Sequence, residues 1–261
     1  MIPKIIHYCW FSKEKYPPQI KTCIKSWKKH LRDYDIVLWD GDRFDFSSVP
    51  FVQKCIELRK WAFAADYIRL YAVYTMGGIY LDSDVLVLKS FDELLENNAF
   101  WGIDANDGQQ YYFPEAAVFG ATKGFSPLKE MMSFYEKLPI DEVNAETFAR
   151  LTNVCDEQNR KIYKPDGTPH LTTAPVVMES VLRNYGYQQT NTNQTLQADI
   201  RIYAEPIIQN SNKIDTSDTI AHHQNASSWF FTDRGPVFRF CHNHPSLMPL
   251  YKKIEQLRNK K

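Results

Sequence analysis

Gly77-Gly78-Ile79-Tyr80-Leu81-Asp82-Ser83-Asp84-Val85 is the stretch that decides how this chain is read. Two carboxylates, one residue apart, stand inside an apolar run that continues through Leu86-Val87-Leu88. The run reads as one buried strand over residues 79–88. On a strand, side chains two apart share a face, so this reading predicts Asp82 and Asp84 side by side. Like charges held together repel, and a buried carboxylate without a partner is costly. A divalent cation removes both costs. Hard oxygen ligands suit Mg²⁺ or Mn²⁺, which complete their shells with water and substrate phosphates. The alternative is a solvated strand end, and Asp-x-Asp alone does not decide between them.

Upstream, residues 61–76 are rich in helix formers, and Gly77-Gly78 stops the helix. Asp66 and Arg69 lie three apart and share a helical face. An exposed pair of this kind contributes only ~0.2–0.5 kcal/mol. Here Ala62, Ala64, Ala65, Ile68 and Leu70 surround it, so the helix reads as buried and the pair as functional. A second helix precedes it, from residue 51.

At the start of the chain, residues 2–11 read as a strand. Pro17-Pro18 opens a helix with Ile20, Ile24, Trp27 and Leu31 on one stripe, and residues 35–39 form another strand. This β-α-β opening favours a parallel sheet with a right-handed crossover. Downstream, the pattern predicts a short helix at 91–96 and strands at 99–103 and 116–121. Helices follow at 127–138, 145–154 and 175–185. Residues 104–114 read as a binding loop and 191–197 as a turn. A late strand at 219–222 ends in His222-His223, ahead of Ser227-Ser228-Trp229. Histidine suits Mn²⁺-type ions, and either His222 or His223 qualifies. His242 and His244 form a lower-ranked pair. Residues 246–261 read as a helix with a basic end.

The bulk numbers narrow the class. The chain has 261 residues, 44% hydrophobic and 14% aromatic, with 31 basic and 31 acidic side chains. That balance gives no bulk electrostatic reason to expect nucleic acid. Five scattered cysteines with no C-x-x-C pair argue against a disulfide framework or a cysteine-ligated zinc site. A reducing cytoplasm is the simplest compartment. The N-terminus has no long apolar stretch of the signal-peptide kind. With no repeat or linker evident, a single domain over 1–261 is expected.

Taken together, residues 2–11, Ser26-Trp27, Trp61 to Arg69, Gly77 to Val85 and His222-His223 through Ser228-Trp229 resemble glycosyltransferase family 32. A more distant resemblance runs to the sugar-transferring domains of large clostridial toxins. Matches are densest over 1–104 and return at 219–231. The resemblance implies an α/β fold of GT-A type: a nucleotide-sugar-binding sandwich with a mostly parallel central sheet and added C-terminal helices. It implies a donor-binding half (1–104) and an acceptor-side half (105–261) with a metal-site loop at 219–231. It also implies transfer with retention of anomeric configuration, using Mn²⁺ or Mg²⁺.

By position, the resemblance places Trp10, with Tyr8, at the nucleobase. Asp66 and Arg69 would bond the donor sugar, and Tyr80 and Asp82 the ribose, donor or metal-bound water. Asp84 would ligate the metal directly, with His223 or His222 as a further ligand and Trp229 at the β-phosphate or glycosidic oxygen. The residue before Asp66 is Ala65, where many relatives carry serine. The expected activity moves a hexose from a UDP-sugar, or GDP-mannose, to a bacterial capsular or other surface polysaccharide or a lipid-linked oligosaccharide. The basic tail reads first as a solvated helix end whose cations suit the helix dipole, with peripheral contact at the inner membrane face as the alternative. Two alternatives belong to other classes: a metal-dependent nucleotide-sugar hydrolase or nucleotidyltransferase, and a glycan-binding module that has lost catalysis.

Overall fold

The computed structural model describes residues 1–12, 14–105, 112–138, 173–210 and 217–224. The expected helix at 145–154, the C-terminal helix, Trp229, Ser227, Ser228, His242, His244 and most of the 219–231 loop lie outside them.

The chain opens β1 (Ile5–Cys9), α1 (Pro18–His30), β2 (Asp35–Trp39), then α2 (Pro50–Glu57) and α3 (Trp61–Met76). Proline occupies the first turns of α1 and α2, where its missing N–H costs nothing. β3 (Gly78–Leu81) and β4 (Val85–Val87) follow, then β5 (Ala99–Asp104), β6 (Phe113–Ala121) and α4 (Ser126–Glu136). The later elements are α5 (Ala174–Leu182), β7 (Gln194–Leu196), β8 (Ile200–Tyr203), β9 (Ile208–Gln209) and β10 (Ala221–His223).

Seven strands form one sheet in the order β2-β1-β3-β6-β5-β8-β7, and β4-β10-β9 form a second. The fold class is α/β, as expected for a GT-A sandwich. The large sheet is mixed rather than mostly parallel: β1 runs parallel to β2 and β3, and β5 to β8, while β6 is antiparallel to both neighbours and β7 to β8. β6, from the later half of the chain, is inserted between β3 and β5.

Each face of the large sheet has its own core. On one, α2, α3, α4 and α5 pack on Trp39, Tyr80, Trp101 and Phe119. On the other, Trp27 and Leu31 from the α1 segment and Val85, Val87, Ile208 and Ala221 from the small sheet pack on Ile6, Ile79, Leu81 and Phe100. Helix α3 is buried on nearly all sides, in keeping with its lack of a polar face.

The strand expected over 79–88 is two strands in two sheets. β3 belongs to the large sheet and β4 to the small one, and residues 82–84 form the turn between them. The Val85 N–H closes that turn on the Asp82 carbonyl at 3.0 Å. Asp82 and Asp84 are therefore brought together by a turn, not by strand alternation. β7, β8 and β9 were not anticipated; they are short, and residues 191–197 are polar enough to read as a turn.

Candidate active site

The backbone around Gly77-Gly78 aims the carboxylates. Gly77 has φ +69° and Gly78 φ +111°, conformations that strain any residue with a Cβ. A Cβ on Gly78 would lie 2.5 Å from the Ile5 carbonyl oxygen, so only glycine lets β3 leave α3 this close to β1. His7 stands against the same turn. Trp39 Nε1–H donates to His7 Nδ1 (3.1 Å), so the opposite nitrogen carries the proton and donates to the Gly77 carbonyl at 2.7 Å. Burial lowers the His7 pKa to about 4, keeping the ring neutral.

Alternation along β3 then sends Ile79 and Leu81 to one core and Tyr80 to the other, under α3. Asp82 continues the Tyr80 side. The Tyr80 hydroxyl donates to Asp82 Oδ1 (2.8 Å), and Arg69 Nη1 lies 3.4 Å from Oδ2. Arg69 is deeply buried. It pairs with Asp66 at 3.0 Å, donates to the Ala116 carbonyl at 2.8 Å and to the Ala65 carbonyl at 3.2 Å, and stacks over the Tyr80 ring at 4.8 Å. The resemblance assigns Arg69 to the donor sugar. In this geometry Arg69 bridges Asp66 and Asp82. The Asp66 side chain retains 10% exposure. Burial pushes its pKa up to about 7, against the pull of Arg69. Burial and then the Asp84 charge raise the Asp82 carboxyl, with Arg69 opposing.

Past the turn, Asp84 faces the small sheet. β4 is held by α1 through the pair quoted in the sequence: Trp27 Nε1–H donates to the Val85 carbonyl (2.7 Å), and the Ser26 hydroxyl accepts from the Val87 N–H (2.9 Å). β4 pairs antiparallel with β10, placing His223 opposite Val85. His223 Nε2 lies 3.6 Å from Asp84 Oδ1. Ligand atoms of Asp82, Asp84 and His223 lie within 4.8 Å of one another. Adjacent strand residues point to opposite faces, and His222 is not in this cluster. Of the two histidines left open by the sequence, the fold brings His223 to the carboxylates.

Glu115 on β6 was missed by the sequence reading, which began that strand at 116. It is buried and lies 3.5 Å from His223 Nδ1. The available signal was the same as for Asp82: a carboxylate inside an apolar strand. Burial lowers the His223 pKa, but Asp84 and Glu115 outweigh it and raise the ring well above its ordinary value. Burial likewise opposes ionisation of Glu115, and His223 holds it below the usual carboxylate range. Two carboxylates and an imidazole, converging and needing compensation, fit a divalent cation of the Mn²⁺ or Mg²⁺ kind.

At the end of β1, Tyr8 is buried, its hydroxyl 3.1 Å from that of Tyr16 and its ring edge-on to Trp27. Trp10 is half-buried, edge-on to Tyr16, with Nε1–H donating to the Glu14 carbonyl at 3.2 Å. β1 neighbours β3 in parallel, so both aromatics lie at the strand ends where the carboxylates emerge.

Residues 17–101 match the family described as the glycosyltransferase sugar-binding region containing a DXD motif. The chain is 33% identical over 106 residues to inositol phosphoceramide mannosyltransferase 3 of Schizosaccharomyces pombe, covering 38% of this chain and 29% of that protein. It is 31% identical over 101 residues to an uncharacterized glycosyltransferase, L373, of Acanthamoeba polyphaga mimivirus, covering 36% and 40%. These matches thus span well under half the length of either relative. Among solved structures, the PaToxG glycosyltransferase aligns at 18% identity and TM-score 0.44, over 70% of this chain and 69% of that one. A glycosyltransferase involved in glycosylation of the PBCV-1 major capsid aligns at 13% and 0.44, over 86% and 94%. The match over residues 17–101 spans α1, α3, Asp66, Arg69 and the Asp82–Asp84 turn, so both carboxylates of the turn lie within the stretch that is similar to the DXD-containing glycosyltransferase sugar-binding region.

Proposed function

We propose that this protein is a retaining, metal-dependent glycosyltransferase. It moves a hexose from a nucleotide-sugar to a hydroxyl of a glycan or lipid-linked acceptor. The observation that carries this reading is the convergence of Asp82, Asp84 and His223, two of them inside the matched family region.

Asp84 and His223 would hold the cation directly, with Asp82 on its water shell. Asp82 already accepts from Tyr80 and faces Arg69. Once bound, a divalent cation supplies Lewis-acid stabilisation of the negative charge that develops on a departing diphosphate. The protein's own groups do the remainder. Arg69 fixes Asp82 from a desolvated position, so the carboxylate needs no reorganisation during reaction. Asp66, beside Arg69 and still partly open, orients a hydroxyl of the donor sugar. Trp10 and Tyr8 would bound the nucleobase, and Trp229, by the resemblance, would serve the diphosphate. Holding an acceptor hydroxyl against the anomeric carbon supplies the positional part of the rate. Same-face substitution follows, the departing phosphate taking the acceptor's proton.

UDP-sugars are the favoured donors, with GDP-mannose next. The name of the yeast relative, an inositol phosphoceramide mannosyltransferase, supports mannose as a sugar and a lipid-borne hydroxyl as an acceptor. A surface polysaccharide, such as a bacterial capsule, is the other acceptor class. We place the protein in the cytoplasm with peripheral contact to the membrane face. Among the described residues no helix is long and apolar enough to cross a membrane. The test is a panel of UDP- and GDP-sugars with Mn²⁺, scored by released nucleotide and thermal shift. Stabilisation by one nucleotide class with metal-dependent release supports the reading. Metal-independent glycan binding without release supports a binding module, and release that no acceptor accelerates supports a hydrolase.

A further inference from the structure

His223 is approached from two sides. Its Nε2 faces Asp84 at 3.6 Å, and its Nδ1 faces Glu115 Oε1 at 3.5 Å. An imidazole that offers one nitrogen to a cation must carry its proton on the other, and the partner of that second nitrogen sets the tautomer. Glu115 is built to be that partner. It is 3% exposed, and its carboxylate is fixed at both oxygens. Oε1 accepts from the Ala117 N–H at 2.8 Å, and Oε2 from the Asn210 side-chain amide at 2.7 Å. That amide also donates to Asp104 Oδ1 (3.1 Å), and the Asn210 backbone N–H to Glu205 Oε1 (3.0 Å). The cluster of candidate ligands itself comprises Asp82, Asp84 and His223; Glu115 stands behind the ring.

We infer that Glu115 is a positioning residue that keeps the His223 proton on Nδ1, so that Nε2 presents its lone pair to a divalent cation shared with Asp82 and Asp84. This rests on the metal site proposed above. Carboxylates behind ligating histidines raise ligand basicity and fix ring orientation, and losing one typically costs 10–100-fold in metal affinity. The arrangement also explains why a carboxylate is buried in the middle of an apolar strand. Glu115, on β6 of the large sheet, lies 3.5 Å from His223 on β10 of the small one, where the two sheets meet.

The test is a double-mutant cycle read by Mn²⁺ binding alone, measured by electron paramagnetic resonance on the full chain. Wild type, Glu115→Gln, His223→Ala and the double variant are compared, each checked for cooperative unfolding. Glu115→Gln is expected to weaken Mn²⁺ roughly 10–100-fold in the wild-type background. With His223 gone it should have no further effect. Should the Gln variant not fold, Glu115→Asp serves in the same cycle, because it keeps the charge but withdraws it from Nδ1. No loss in the wild-type background overturns the inference. So does an equal loss in the His223→Ala background, which would make Glu115 a direct ligand or a general structural element. If His223→Ala binds Mn²⁺ as wild type does, the metal-site reading itself fails and the inference with it.

Discussion

Replacing Arg69 by methionine keeps most of the side-chain volume and removes one charge from a dry site. The guanidinium is 5% exposed and touches two carboxylates and two carbonyls. Losing it leaves Asp66 buried beside Asp82 without the arginine that pairs with both. Breaking a buried pair from one side costs about 3–5 kcal/mol. Part of that cost does not depend on pH: the Ala116 and Ala65 carbonyls lose their donor, at roughly 1–2 kcal/mol for buried acceptors. The remainder is the cost of unpaired ionised carboxylates. Without Arg69 their folded pKa values rise further above the unfolded value near 3.8. Such acids bind more protons folded than unfolded, so their contribution is intact at low pH and lost as pH rises through the folded pKa. Urea titrations should therefore show Arg69→Met about 3–5 kcal/mol less stable than wild type at pH 8. The penalty should shrink to roughly 1–2 kcal/mol at pH 5. A penalty below about 1 kcal/mol at pH 8, or one that does not change between pH 5 and 8, would show that Arg69 is not the buried counter-charge.

Asp84→Asn should bind Mn²⁺ far more weakly and lose turnover, while unfolding close to wild type; undiminished nucleotide release would remove Asp84 from the metal site. Gly78→Ala should lose about 3 kcal/mol or more, from a φ of +111° and a Cβ 2.5 Å from the Ile5 carbonyl oxygen. A change within 0.5 kcal/mol in denaturant titration would refute that account of the turn. The neutral, buried His7 has its pKa lowered from 6.5 to about 4, so the unfolded chain binds the extra proton. Its contribution is whole above pH 6.5 and lost as pH falls towards 4, about 3 kcal/mol across that window. Asp66 slopes the opposite way over the same range, so the measurement is the difference between wild type and His7→Gln; a difference that does not vary with pH would contradict the neutral tautomer.

The sequence reading and the fold agree most closely where the causes are local. Strand β2 has the predicted bounds, and α2 and α3 begin within a residue of expectation. Proline in the first turn and glycine past the last are signals written into the residues that obey them. The short strands β8 and β9 were missed because neighbours distant in sequence hold them: β8 lies beside β5, and β9 beside β10; β7 pairs with the nearby β8, but its polar residues read as a turn.

The site divides in the same way. That Asp82 and Asp84 would need compensation was legible, because two carboxylates in an apolar run are costly wherever the run goes. How they meet was not, since a turn between two sheets and an unbroken strand have the same apolar pattern. The sequence offered His222 and His223 equally. Only the antiparallel pairing of β10 with β4 presents His223 to Asp84. Asp66 and Arg69 were legible as a helical pair, yet the reach of Arg69 to Asp82 depends on α3 packing over β3. Glu115 depends on two sheets meeting. By itself, then, the sequence determined the chemistry of the site, since charge and hydropathy are properties of residues. The tertiary structure alone decided which groups share it, because the distance between residues 115, 210 and 223 is set by packing and not by the chain between them.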